Sequence, residues 1–308
     1  HALFGGLIGA GIAALGTSGV VWNGHGKHLD GVVGKVILPA LISPVIAGIV
    51  AAAGTWMVYK IVVGVATKFT ESGFRIGQIG TASLLSLAHG TNDAQKTMGV
   101  ITLALIGYSW EDKSASGPFA WHNLHGMPMW VKIACACAIA GGTYIGGWRV
   151  IRTLGKGLVE IESPQGLAAE ASSAAIILSS SAAGMALSTT HVATGSILGS
   201  GVGKPGAEVR WAVAGRMAVA WLITLPAAAL VGALSFWMSS AVKDLTNSDL
   251  AGDGVIFVVL VALSGYMYWR AQQQKVDHNN VNADWDESTN SVVPAGEAPK
   301  TASTPTAV

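Results

Sequence analysis

The chain has 308 residues, of which 51% are apolar and only 11% charged, with 40 glycines and a net charge of +1. Soluble domains carry about 25% charged residues, so a soluble enzyme and a disordered body are both excluded, and the lack of a Gly-X-Y period excludes collagen. A balance so near zero gives no footing for a nucleic-acid partner; what remains is an all-α polytopic membrane protein.

The chain opens on His1 rather than Met, directly into apolar sequence, and is expected to be the C-terminal part of a longer protein. A span needs about 20 apolar residues. In chain order the predicted spans are Ala2–Trp22, Val36–Tyr59, Ile76–Ala88 with Ala94–Tyr108, Met129–Trp148, Leu167–Leu187 with Val192–Val202, Trp211–Met238 and Gly254–Trp269. Each is read as helix, because backbone groups in lipid must be paired internally. Small residues four apart, Gly5 with Gly9 and Gly195 with Gly199, predict close helix packing. Pro39, Pro44 and Pro226 fall inside apolar runs and predict kinks. Trp22, Trp110, Trp130, Trp148, Trp211 and Trp269 lie near predicted ends, as interfacial aromatics do. Cys135 and Cys137 are two apart on a predicted helix, so they do not face each other and read as packing residues.

Basic residues suggest an orientation. Arg149, Arg152 and Lys156 on one flank of 166–202, and Lys204, Arg210 and Arg216 on the other, predict that both flanks are cytoplasmic. That segment must then enter and return as a re-entrant hairpin turning near Ser188–His191. The loop Ser239–Asp253 sets Lys243 against Asp244, Asp249 and Asp253 and suits the outside, while Lys60, Lys68 and Arg75 leave the remaining assignment open. From Ala271 to Val308 the chain is polar, with two lysines against five carboxylates, and is expected to be a disordered tail.

Two interruptions carry the chemistry. The first is His89-Gly90-Thr91-Asn92-Asp93 with Lys96 and Gly99, set between half-segments each too short to span alone. An Asp at membrane depth is functional by default. Gly90 permits a break, and Asn92 or Asp93 can cap the half-helix that follows. The second is Ser188-Thr189-Thr190-His191, three hydroxyls and an imidazole between apolar arms. A half-helix N-terminus there favours an anion; alternatively, the hydroxyls bond back to the helix and bend it.

Residues 1–11 align with 191–201 at a constant offset: His1, Gly5, Gly9 and Gly11 match His191, Gly195, Gly199 and Gly201. Such duplication predicts a repeat transporter with discontinuous or re-entrant helices. Residues like Ser188–Thr190 are then expected to precede His1.

His89-Gly90-Thr91-Asn92-Asp93, Gly147-Trp148-Arg149-Val150 and Ser188-Thr189-Thr190-His191, in this order, resemble the inorganic phosphate transporter (PiT) family over most of residues 1–270. The resemblance implies an inverted-repeat symporter moving phosphate, free or as metal-phosphate, with Na⁺ or H⁺, and no further cofactor. It implies substrate binding by Asn92, Asp93, Ser188, Thr189 and Thr190, and cation coupling by Asp93 and Glu170. His89, Gly90, Thr91, Lys96 and His191 support the site. The first repeat's own Asn-Asp motif is missing from this chain. Residues 1–70 are then the remainder of the first repeat, and 71–270 the second repeat and transport domain. A bacterial plasma-membrane location, lipid contact and a homodimer are the accompanying expectations.

Asp93 and Glu170 repel an anion unless a cation binds too, so coupling follows from electrostatics, and Lys96, one turn from Asp93, can pair with it. Glu170 is alternatively a first-turn residue favoured by the helix dipole. His191 can donate to phosphate or titrate, or simply pack. His122 and His125, beside Asn123, lack the carboxylate or thiol that completes a metal set, and no metal site is expected. Three competing functions remain at this level: a sulfate permease of the same fold, an intramembrane hydrolase using Ser188 with His191, and a non-transporting scaffold.

Overall fold

The computed structural model describes residues 1–24, 31–62, 67–111, 117, 119–122, 126–185, 187–273, 285–286 and 291–292. Apolar sequence with small residues folds here as helix throughout: α1 (Ala2–Leu15), α2 (Leu38–Val62), α3 (Thr67–Glu111), α4 (Met129–Lys156), α5 (Ser163–Ala182), α6 (Thr189–Gly203), α7 (Trp211–Thr246) and α8 (Asp249–Gln273). A π-helical turn, Val33–Ile37, leads into α2. Four stretches, Val33–Val62, Met129–Trp148, Trp211–Thr246 and Asp249–Gln273, are long and apolar enough to cross a membrane. The protein is therefore an all-α polytopic membrane protein, as its composition requires. Of the expected disordered tail, Ala271–Gln273 continue α8 and β1 (Trp285–Asp286) pairs antiparallel with β2 (Ser291–Val292); the rest lies outside the described residues.

Packing divides the chain into two compact units, residues 1–41 with 210–308, and residues 42–209. The cut follows contacts rather than chain order. In the first unit α1 lies on α7. Gly5 faces the Leu225 carbonyl and Ala228, Gly9 the backbone of Ala229, and Gly232 the backbone of Gly6. α1 has 14 residues, about 21 Å, shorter than the predicted span to Trp22. Gly16, at φ 74°, ends it, and a single 3₁₀ turn follows.

In the second unit the same packing recurs. Gly195, Gly199 and Gly203 of α6 face the backbones of Pro44, Gly48 and Ala52 of α2, so the two helices run parallel in steps of one turn. Missing side chains on both sides let the backbones touch, which in lipid replaces the hydrophobic effect as the source of association. α5 and α6 are antiparallel. Gln165 Nε2 donates to the Ser200 carbonyl (3.4 Å), and Val159 bridges Val209 just outside the pair. Both flanks of the segment thus lie at one end, and it runs out and back as a hairpin. Its turn begins at 183–185, with Gly184 at φ 65°, slightly before the expected place. Ala47, Ala88, Ala174, Ile177, Leu187 and Val192 form the apolar centre.

One expectation is corrected. His89–Gly99 does not interrupt a helix: α3 runs through it unbroken. Gly90 and Gly99 cost only about 1 kcal/mol each in a helix interior, and no proline stands between residues 67 and 111 to force a break. The polar side chains find lateral partners instead of capping a half-helix.

The open end of the hairpin is clasped. Tyr59 donates its hydroxyl to Glu162 Oε2 (2.7 Å), and Lys204 pairs with Glu162 Oε1 (2.6 Å). Glu162 and Gln165 also form the capping box that starts α5. The hydrogen bonds from Lys204, then Tyr59, hold the Glu162 carboxyl below its ordinary 4.5. A carboxyl depressed on folding stabilises the fold above the ordinary value and loses that contribution as pH falls through the folded one. Melting temperature should therefore fall as pH drops below 4.5, and Glu162→Gln should flatten that limb of the profile; an unchanged profile would show that the clasp contributes nothing. Gly199→Val should destabilise the fold by more than the roughly 1–3 kcal/mol of ordinary overpacking, seen as a sharply lowered melting temperature, because backbone rather than a side chain opposes it. Gly80→Ala meets nothing within 4 Å and should be neutral or stabilising by up to about 1 kcal/mol.

Candidate functional site

α3 and α5 run parallel, and their register decides which polar groups meet. Thr81 donates to Glu170 Oε2 (2.7 Å), and Asn92 Nδ2 to Ser181 Oγ (2.7 Å), both 89 residues apart in sequence. On α3 one face presents His89, Asp93 and Lys96, at i, i+4 and i+7. That face meets the start of α6.

Ser188 caps α6, its hydroxyl accepting from the His191 backbone N–H (3.5 Å). Thr189, buried at 3% exposure, turns inward and donates toward both Asp93 oxygens (3.3 and 3.2 Å). His89 Nε2 stands 3.1 Å from Asp93 Oδ2 and 3.3 Å from Thr189 Oγ1. Lys96 Nζ reaches Asp93 Oδ1 (3.1 Å) and the Leu187 carbonyl (2.6 Å). Three donors from two sequence motifs thus converge on one carboxylate beside a helix N-terminus, where free N–H groups and the helix dipole favour negative charge. Asn92 is buried beside them, its Oδ1 without a partner.

The predicted residues do not all gather here. Asn92, Asp93, Thr189, His89 and Lys96 come together, with Ser188 as the cap. Thr190 points outward and is exposed. Thr91 bonds back to the Leu87 and Ala88 carbonyls of its own helix (2.7 and 3.1 Å). With Gly90 it lines a cavity of about 770 Å³ walled by Met98, Ile139 and Ala140, which Asp93 does not line. That cavity is mostly apolar, with Gln95 and Lys132 among its lining residues. His191 is buried in α6. Glu170 sits in the third turn of α5, not the first; the capping role belongs to Glu162. Roughly 18 Å along α3 separates the level of Glu170 from that of Asp93, so the two carboxylates form separate centres. The Ser188 hydroxyl serves the cap. Among the described residues no three His, Cys, Asp or Glu side chains converge as a metal site. His122 is exposed, while Asn123 and His125 lie outside the described residues.

Ser181, Thr81 and the Leu187 carbonyl were not picked out from sequence. The run Ser179-Ser180-Ser181, polar within an apolar segment, was the available signal for the first. A main-chain carbonyl leaves none.

The profile of the phosphate transporter family matches residues 1–71 and 63–232. The chain belongs to the phosphate transporter family. A Mycobacterium tuberculosis protein named "Probable low-affinity inorganic phosphate transporter" is 55% identical over 299 residues, 97% of this chain and 67% of its own length. Proteins of the same name from Mycobacterium leprae (55% identical; 94% of this chain, 64% of the relative) and Bacillus subtilis (37%; 77% and 66%) are similar to it as well. The chain thus spans about two thirds of the length of these relatives. No solved structure matches it.

Within this family member, Ser181→Ala removes the acceptor of a buried amide. It should lower stability by about 1–3 kcal/mol, the cost of an unsatisfied buried polar group, seen as a reduced melting temperature of the purified protein; an unchanged melt would mean that Asn92 finds another partner.

Proposed function

We propose that this chain forms the substrate-binding part of a secondary symporter for inorganic phosphate in the bacterial plasma membrane, coupled to Na⁺ or H⁺. The observation that carries the reading is the meeting of Asp93 with Thr189, His89 and Lys96 at the N-terminus of α6. These donors now satisfy an anionic carboxylate, and the oxygens of a phosphate present them with the same charge and acceptor chemistry. Dihydrogen phosphate also carries O–H groups that can donate to Asp93 and to the open Asn92 Oδ1. Sulfate has no such proton at neutral pH, which favours phosphate over the sulfate reading.

The inverted-repeat architecture is supported by recurrence of one packing. Gly5 and Gly9 lie on the helix that holds Pro226, as Gly195 and Gly199 lie on the helix that holds Pro44. With the matching offset of 1–11 and 191–201, this reads as two copies of one helix pair. Glu170, held by Thr81 in a separate centre, is proposed as a cation-coupling group acting at a distance from the phosphate oxygens.

In proteoliposomes containing the full-length protein, Asp93→Asn should cut concentrative uptake of labelled phosphate at least about tenfold, the loss expected for one charged hydrogen-bonding group. Excess sulfate should leave wild-type uptake unchanged. Wild-type rates in the variant, or full competition by sulfate, would overturn the reading.

A further inference from the structure

The tip of the α5–α6 hairpin poses an electrostatic problem that Lys96 answers. Residues 183–185, 187 and 188 stand outside the helices, so a carbonyl there can lack the partner an intact helix would supply. The Leu187 carbonyl belongs to a residue only 5% exposed, and a bare buried carbonyl is costly. The Lys96 ammonium lies 2.6 Å from it and 3.1 Å from Asp93 Oδ1. Thr189 Oγ1 stands over the same carboxylate. A carboxylate oxygen, a main-chain carbonyl from an unwound segment and a nearby hydroxyl are the ligands with which broken-helix transporters hold a monovalent metal cation.

We infer that Lys96 is a resident cation: its ammonium fills, between Asp93 and the Leu187 carbonyl, the position that a Na⁺ would otherwise take, so this centre receives phosphate without a Na⁺ of its own. The ammonium donates up to three hydrogen bonds, and two of them are spent on these oxygens. It neutralises Asp93, so an incoming phosphate meets a site of no net charge flanked by the positive end of α6. Like-charge repulsion at contact distance excludes a second cation beside it. A coupling cation then acts elsewhere, and the tether also ties α3 to the hairpin tip. The statement about phosphate rests on the proposed function; the statement about the cation position does not.

The test uses the purified full-length protein, melted in NaCl and in choline chloride at equal ionic strength, with and without inorganic phosphate. Lys96→Met and Lys96→Gln should each gain a Na⁺-specific rise in melting temperature of about 2–4 °C over that of the wild type, the size of shift that cation binding to the folded state gives. Lys96→Arg, which keeps a cation, should gain none. Adding Asp93→Asn to either neutral variant should abolish the gain. Two neutral substitutions are made so that a folding failure in one leaves the other to decide. No extra Na⁺ response in the folded neutral variant, or a response that survives Asp93→Asn, overturns the inference. If the Na⁺ response appears but phosphate fails to raise the wild-type melting temperature, the cation position stands and the phosphate reading falls.

Discussion

A carboxylate within an apolar bundle must be met by donors or lose its charge, and Asp93 is the group that imposes this on residues 42–209. Its partners come from its own helix, His89 one turn before and Lys96 one turn after, and from Thr189 at the start of another. The last contact forces α6 to begin beside α3. Once it does, the free N–H groups of α6 point at the same place as the side-chain donors. The gathering of donors at this point is thus a consequence of satisfying one half-buried charge.

Meeting that demand needs helices that approach closely and stay in register. The glycine steps of α6 on α2 remove the side chains that would hold the hairpin away. The parallel pairing of α3 with α5 at one constant separation puts Thr81 with Glu170 and Asn92 with Ser181. At the far end, Glu162 ties Tyr59 to Lys204 and closes the flanks. A lipid-facing protein gains little from burying more apolar surface, so these small-residue contacts and polar clips set the geometry. The large exposed apolar residues of α8, such as Phe257 and Leu260, add no such constraint.

Much of this was readable from the chain alone. Composition and the length of the apolar runs determined a polytopic helical membrane protein, since lipid allows a spanning backbone few alternatives. The two polar runs, His89–Lys96 and Ser188–His191, marked the site because polar groups at such depth are expensive. Gly195 and Gly199 marked a close packing, and the repeated spacing of His1–Gly11 and His191–Gly201 is the sequence signal for the proposed duplication. The hairpin formed by 166–202 was legible from basic residues on both flanks.

What tertiary structure alone decided was direction and partnership. A one-dimensional pattern shows that Gly90 permits a break, but whether the helix breaks depends on whether Asn92 and Asp93 are satisfied sideways, by Ser181 and Thr189, 89 and 96 residues away in sequence. Thr189 and Thr190 are alike in sequence; only the angle of α6 sends one to Asp93 and the other outward. Glu170 and Asp93 look equivalent as membrane carboxylates, yet the α3–α5 register holds them in separate centres. The Leu187 carbonyl has no side-chain signature at all, and its part in holding Lys96 arises solely because the hairpin turns where α3 passes.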